Sequence, residues 1–190
     1  MNVLSGPSSA FPDHFIQQVA NYRHRVFIEL LGWQMPTREA LDLELDQFDR
    51  DDTVYVVAHD AQRRINGCAR LLPTTRPYLL GEVFPQLLNG LPPPCTPEVW
   101  ELSRFAAVDF NGQSAVGRGQ FSSDITLALL HEAVACAASY GAKRLITVSP
   151  VGVERLLRKT GLRSHRAGPP MVIDGHPLFA CWIEIEPGEA

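Results

Sequence analysis

No stretch of this chain approaches the roughly 18 consecutive apolar residues that crossing a bilayer requires, so no membrane-spanning helix is expected. The opening MNVLSGPSSAFPDH lacks the basic start and apolar block of a secretory leader, and a cytoplasmic protein is expected. Cysteine is sparse: Cys68, Cys95, Cys136 and Cys181 form no CxxC pair, and with the six scattered histidines they give no metal-ligand spacing. They read as reduced packing residues, and no metal is expected. Repeats, low-complexity tracts and convincing linkers are also missing. A length of 190 residues with 45% apolar content then reads as a single domain, 1–190, with a full core. The net charge of −4 and the lack of a recognition motif argue against nucleic-acid binding.

What the chain does have is an uneven charge distribution. Lys143, Arg144, Arg155, Arg158, Lys159, Arg163 and Arg166 face a single acid, Glu154, in the span 143–166. Glu39, Asp42, Glu44, Asp46, Asp49, Asp51 and Asp52 are accompanied by one base, Arg50, in the span 39–52. Such runs either steer a charged partner or form solvated faces.

The periodicity predicts a helix over 13–31, with a stripe at Phe15, Val19, Tyr22, Val26 and Leu30 and Gly32 to end it. TVYVVAHD (53–60) and RINGCARLL (64–72) read as a hairpin. A Pro- and Gly-rich loop over 73–98 surrounds a short FPQLLN helix. A strand over 99–108, a helix over 121–140, the strand RLITVS (144–149) and a basic helix over 151–161 follow. The Asp174-Gly175 pair signals a hairpin leading into the strand 177–185. The order predicts a mixed α/β sheet between helices.

Within the strand VWELSRFAAV, alternation would point Glu101 and Arg104 in opposite directions, each needing its own partner. A bulge near Ser103 would reset the alternation and swing both towards one cleft; a buried ion pair under a loop is the other reading. Asp46 and Asp49, three apart in LELDQFDRDD, are placed to hold an ammonium or a ribose, or to be solvated turn carboxylates. Arg23 and Phe27 are four apart on one helical face, with Trp33 just past its end.

Four segments in order, RHRVFIELLGW, DQFDRDDTVYVVA, GCARLLPTTRPYLLGEVFP and WELSRFAA, resemble the acyl-homoserine-lactone synthases, the LuxI-type autoinducer synthases of quorum sensing. The resemblance runs from about Tyr22 to the C-terminus. It implies a GNAT-like acyltransferase fold: a three-layer sandwich with a mixed, splayed central sheet, a bulged strand at 99–108 and helices on both faces. The pyrophosphate loop of the wider acetyltransferase superfamily appears only as SAVGRG (114–119), with Ser114 where Gln or Arg is usual. That departure suits an acyl carrier protein as donor, with acyl-coenzyme A as the alternative.

The resemblance also implies an activity. S-adenosylmethionine would be acylated on its amine and then lactonised, releasing 5'-methylthioadenosine, with both substrates consumed and no cofactor retained. Glu101, Ser103 and Arg104 are expected to be catalytic. Arg23, Phe27, Trp33, Asp46, Asp49, Arg70, Phe84 and Arg104 are expected to bind S-adenosylmethionine. Ser103, Thr147 and Ser149 would line the acyl pocket, the Thr147 hydroxyl leaning towards a 3-oxo-acyl chain. Lys143, Arg144, Arg155, Arg158 and Lys159 would dock the acidic carrier protein. The competing readings are a coenzyme A-dependent N-acetyltransferase of the same fold and a non-catalytic signal-binding relic.

Overall fold

The computed structural model describes residues 1–33, 42–110 and 123–186. The SAVGRG segment, Glu39 and the first residues of the expected 121–140 helix lie outside them. The chain divides into two compact units, Met1–Arg70 with Arg104–Ala133, and Leu71–Ser103 with Val134–Ala190.

Strand β1 is Asn2–Pro7, β2 Val54–His59, β3 Ile65–Pro73 and β4 Val99–Ala106; the first unit holds β1, β2, 65–70 of β3 and 104–106 of β4, and the rest of β3 and β4 belongs to the second. The expected hairpin is β2–β3, its turn closed by Arg63 in the left-handed region at φ 62°. Strand β1, which pairs antiparallel with β2 from Asn2↔His59 to Pro7↔Val54, was not expected. Its Ser, Gly and Pro content and largely exposed faces leave no alternating apolar signal.

Helices cover both faces of this part of the sheet. Val19 and Tyr22 of α1 (Asp13–Arg23) and Val26 and Phe27 just beyond it pack with Tyr55, Val57 and Cys68. On the opposite face α3 (Ser123–Ser139) brings Ile125 against Gly67, where a Cβ would stand 3.0 Å from the isoleucine methyl, so glycine permits the close approach. The expected helix over 13–31 changes character on the way: His24–Leu30 is π-helical, with the Leu31 amide donating to Val26 O at 3.0 Å. Gly32, at φ 67°, ends it.

In the second unit the order is β4-β5-β8-β6, with β7 also on β8. Here β5 is Arg144–Pro150, β6 Ser164–Arg166, β7 Met171–Ile173 and β8 His176–Glu184. Asp174 and Gly175 turn the β7–β8 hairpin with φ of 48° and 79°, the two positive values a type I′ turn needs. The loop over 73–98 carries a helix, α2 (Leu79–Val83), ahead of a 3-10 turn at Pro85–Leu88. Helix α4 is Gly152–Lys159.

Strand β4 loses its regularity where the alternation argument placed the break. Its parallel ladder with β5 ends at Glu101↔Ile146, while β5 stays paired with β8 as far as Pro150↔Leu178. Arg104 then sits at φ 50°, a left-handed conformation inside a strand and the signature of a bulge. Glu101 and Arg104 each find their own buried partners.

Candidate active site

Three arginines and three carboxylates interlock in the first unit. Arg23, the last residue of α1, donates from Nε to Glu44 Oε2 at 2.5 Å, and from Nη1 and Nη2 to Asp49 at 2.7 and 3.0 Å. Arg70 on β3 forks onto Asp46 at 2.6 and 3.1 Å, and its Nη1 lies 3.1 Å from Asp49. Arg104 on β4 donates from Nε and Nη2 to Glu44 and from Nη2 to Asp46 Oδ2 at 2.7 Å. None of the six is more than slightly exposed, so neutral pairing is what makes their burial tolerable.

The sequence builds this box through a tight turn. Asp46 accepts the Phe48 amide at 2.9 Å and gives its own amide to Asp49 Oδ2 at 2.8 Å, an Asx-type turn. Thr53 closes the turn by donating to Phe48 O at 2.7 Å, and Tyr55 on β2 donates its hydroxyl to Asp49 Oδ1 at 2.6 Å. Asp46 and Asp49 are therefore buried pairing groups and not solvated turn carboxylates.

The protonation states follow from these contacts. Burial alone would raise the Glu44 and Asp49 carboxyls, but Arg23 with Arg104, and Arg23 with Arg70, hold them below the usual carboxylate range. Burial would lower Arg23 and Arg70, yet Asp49 above all keeps them above the ordinary guanidinium value. Arg104 goes the other way, lowered by burial and by neighbouring Arg70 despite Glu44. Burial pushes the Cys68 thiol up to about 12, so it is a packing residue. Cys136 and Cys181 are buried too, but Cys95 is exposed, against the expectation that all four pack inside.

An aromatic wall adjoins the box. Phe27, in the π-helical segment, stacks on Trp33 with centroids 4.9 Å apart and 27° between planes. The Arg104 guanidinium carbon lies 5.9 Å from the Phe27 centroid. Seven of the eight residues expected to bind S-adenosylmethionine (Arg23, Phe27, Trp33, Asp46, Asp49, Arg70 and Arg104) thus belong to the first unit. Phe84, at the end of α2, is half-buried and belongs to the second.

In the second unit Glu101 is wholly buried, and its carboxylate accepts the amide hydrogens of Leu79 at 3.0 Å and Leu80 at 2.6 Å. It thereby fixes the start of α2. Ser103 is buried on the same strand. Thr147 and Ser149, two apart on β5, share one face, and their buried hydroxyls lie 3.2 Å from each other.

The basic run is less one-sided than it reads in the sequence. Lys143 pairs with Glu98, Arg144 with Glu184 at 3.0 Å and Arg163 with Glu186 at 2.9 Å, while Arg158 and Arg166 share Glu154. Three of these acids come from elsewhere in the sequence, brought in by strand pairing. Arg155 and Lys159 are exposed and have no ion-pair partner among the described residues.

Sequence reasoning passed over two members of the box. Glu44 counted only as one charge in an acidic run, and Tyr55 as a strand residue. The available signal was the E-x-D spacing of Glu44 and Asp46, which places alternate residues of an extended segment on one side. Among the described residues no group of three or more His, Cys, Asp or Glu is placed to hold a metal ion, and no helix is long and apolar enough to cross a membrane.

Fold and box together define a mixed α/β enzyme scaffold with a buried, charge-compensated site beside an aromatic wall. Residues 9–187 match the autoinducer synthase family, and the chain belongs to it. An acyl-homoserine-lactone synthase of Acinetobacter nosocomialis is 55% identical over 187 residues, 97% of this chain and 100% of that protein. The structure of TofI in a ternary complex with an inhibitor and MTA superposes with a TM-score of 0.84 at 46% identity, covering 98% of this chain and 92% of TofI. The coenzyme A-dependent acyl-homoserine lactone synthase BjaI, solved with SAM and isopentyl-CoA, has the same fold: TM-score 0.82, 24% identity, 98% of this chain and 83% of BjaI.

Proposed function

We propose that this acyl-homoserine-lactone synthase transfers an acyl group from a thioester to the amine of S-adenosylmethionine and then closes the lactone. The observation that carries this reading is Arg104, tied to Glu44 and Asp46 and lying over the Phe27 ring that stacks on Trp33. A guanidinium suits the methionyl carboxylate, and an aromatic wall suits the sulfonium cation. Asp46, Asp49, Arg23 and Arg70 shape the pocket around them, and Phe84 is assigned to the same substrate.

In the first step the amine attacks the thioester carbonyl, a C–N bond forms, and the C–S bond breaks as the thiol departs with a proton. Glu101 is assigned as the carboxylate that takes the amine's proton, directly or through one water. Its two oxygens accept the amides of Leu79 and Leu80, and the same carboxylate is assigned this second task. In the second step the methionyl carboxylate attacks its own γ-carbon, and methylthioadenosine leaves with the electron pair of the C–S bond. Being intramolecular, this closure gains mainly from a chain held folded, the part given to Arg104.

The acyl chain is assigned to the opening where β4 and β5 part after Glu101↔Ile146, with Ser103, Thr147 and Ser149 as its polar lining. The Thr147 hydroxyl would then hydrogen-bond a 3-oxo group. An acyl carrier protein is the assigned donor, docking on Arg155 and Lys159 with Lys143, Arg144 and Arg158 around them. The test is incubation with S-adenosylmethionine and matched acyl-carrier and acyl-coenzyme A donors, with and without a 3-oxo group. Mass spectrometry should find the 3-oxo lactone formed fastest from the carrier. Faster turnover of the coenzyme A thioester would reverse the donor assignment.

A further inference from the structure

The three arginines of the box are not equivalent. Arg23 commits Nε to Glu44 and both terminal nitrogens to Asp49. Arg70 commits both terminal nitrogens to Asp46, one of them also 3.1 Å from Asp49. Arg104 uses Nε and Nη2 on Glu44 and Asp46, and its Nη1 has no hydrogen-bond partner among the described residues.

Glu44 determines where that nitrogen points. Its carboxylate holds Arg104 Nε from both oxygens at 3.1 Å and Nη2 at 3.0 Å, a side-on grip that fixes the guanidinium plane. Glu44 is itself held twice from α1: its amide donates to Ala20 O at 3.1 Å, and its Oε2 takes Arg23 Nε. Without the Glu44 carboxylate, Arg23 keeps its fork on Asp49 and Arg70 its fork on Asp46, whereas Arg104 keeps one contact, Asp46 Oδ2. The loss therefore falls on Arg104, whose backbone already occupies a left-handed conformation.

We propose that Glu44 is a positioning residue that aims Arg104, so that Nη1 is the donor offered to the carboxylate of the amino-acid substrate. This rests on the reading of the site as one for S-adenosylmethionine, and it assigns the carboxylate grip to Arg104 in preference to Arg23. Glu44 does not touch the substrate; it acts through the arginine.

Two measurements test it on the full chain. Titration calorimetry with S-adenosylmethionine compares wild type, Glu44→Gln, Arg104→Lys and the double variant. Glu44→Gln should weaken binding about tenfold in the wild-type background and less than twofold once Arg104 is lysine, because the two act as one unit. An effect of equal size in both backgrounds, or none in the first, overturns the proposal. NMR of the arginine Nε–H groups in the ligand-free protein forms the second arm. Glu44→Gln should speed hydrogen exchange at Arg104 about tenfold or more while leaving Arg70 unchanged; unchanged exchange at Arg104 overturns the proposal. If wild type fails to bind S-adenosylmethionine, the functional reading falls and the NMR arm still decides the role of Glu44. Should Glu44→Gln not fold, Glu44→Asp replaces it; if neither folds, Glu44 serves the fold and the proposal is overturned.

Discussion

Glu101 Oε1 accepts the amide hydrogen of Leu80 at 2.6 Å, and through this bond strand β4 holds the first turn of α2. The same carboxylate is assigned the amine's proton, so substituting it tests two roles at once. Glu101→Gln should lower kcat by about 10²- to 10⁴-fold across the pH range, the scale of a lost general base. It should also lower the melting temperature, since a glutamine presents only one oxygen to the two amides. A drop in melting temperature with kcat within threefold of wild type would leave Glu101 the structural role alone.

The aromatic wall gives a separate expectation. Trp33→Ala removes the ring that stacks on Phe27. The KM for S-adenosylmethionine should rise roughly five- to thirtyfold, which corresponds to ~1–2 kcal/mol of cation–π attraction, and the KM for the acyl donor should not move. An equal rise in both constants would mean that the tryptophan supports the fold and not the sulfonium.

Acid stability follows from the box. Glu44 and Asp49 have carboxyls held below their ordinary values by paired arginines, so near pH 4 the unfolded chain binds more protons than the folded one. Their contribution is complete above about pH 5 and is lost as the pH falls through the folded-state values. Melting temperatures taken from pH 7 to pH 2.5 should hold level and then fall below about pH 4, and Asp49→Asn should flatten that fall. A wild-type curve level to pH 2.5 would contradict the pairing.

How much of this was legible beforehand depended on where the signal resides. Periodicity located α1 and strands β2, β3, β4, β5 and β8, because each repeats apolar residues at the spacing of its element, but not the three-residue β6. It could not show that His24–Leu30 would be π-helical, nor find β1, whose pairing is made by backbone groups that carry no side-chain pattern. Two charges of opposite sign within a buried strand forced the choice between a bulge that swings both towards one cleft and a buried ion pair under a loop. The bulge is there, at a left-handed Arg104, but Glu101 holds the amide of Leu80 while Arg104 holds Glu44, so the expected convergence of the two is not what these contacts give. Glu44 was hidden because a buried and an exposed carboxylate look alike in a charge run. The basic run misled in the reverse sense, since Glu98, Glu184 and Glu186 reach it only through the fold.

That last point sharpens the docking expectation. Arg155→Glu with Lys159→Glu should raise the KM for an acyl-carrier donor about tenfold at low salt and less at high salt, leaving the KM for S-adenosylmethionine unchanged. Reversal at Lys143 and Arg144, whose charges are already matched by Glu98 and Glu184, should have a smaller effect. An unaltered carrier KM in the first variant would remove this surface from the donor's path.

The most direct test of the whole account is to count products in a single reaction. With S-adenosylmethionine and an acyl thioester supplied, the account predicts one free thiol and one methylthioadenosine for every N-acyl-homoserine lactone formed. Thiol released without methylthioadenosine, lactone or acylated S-adenosylmethionine would show acyl transfer to something other than S-adenosylmethionine, and would contradict it.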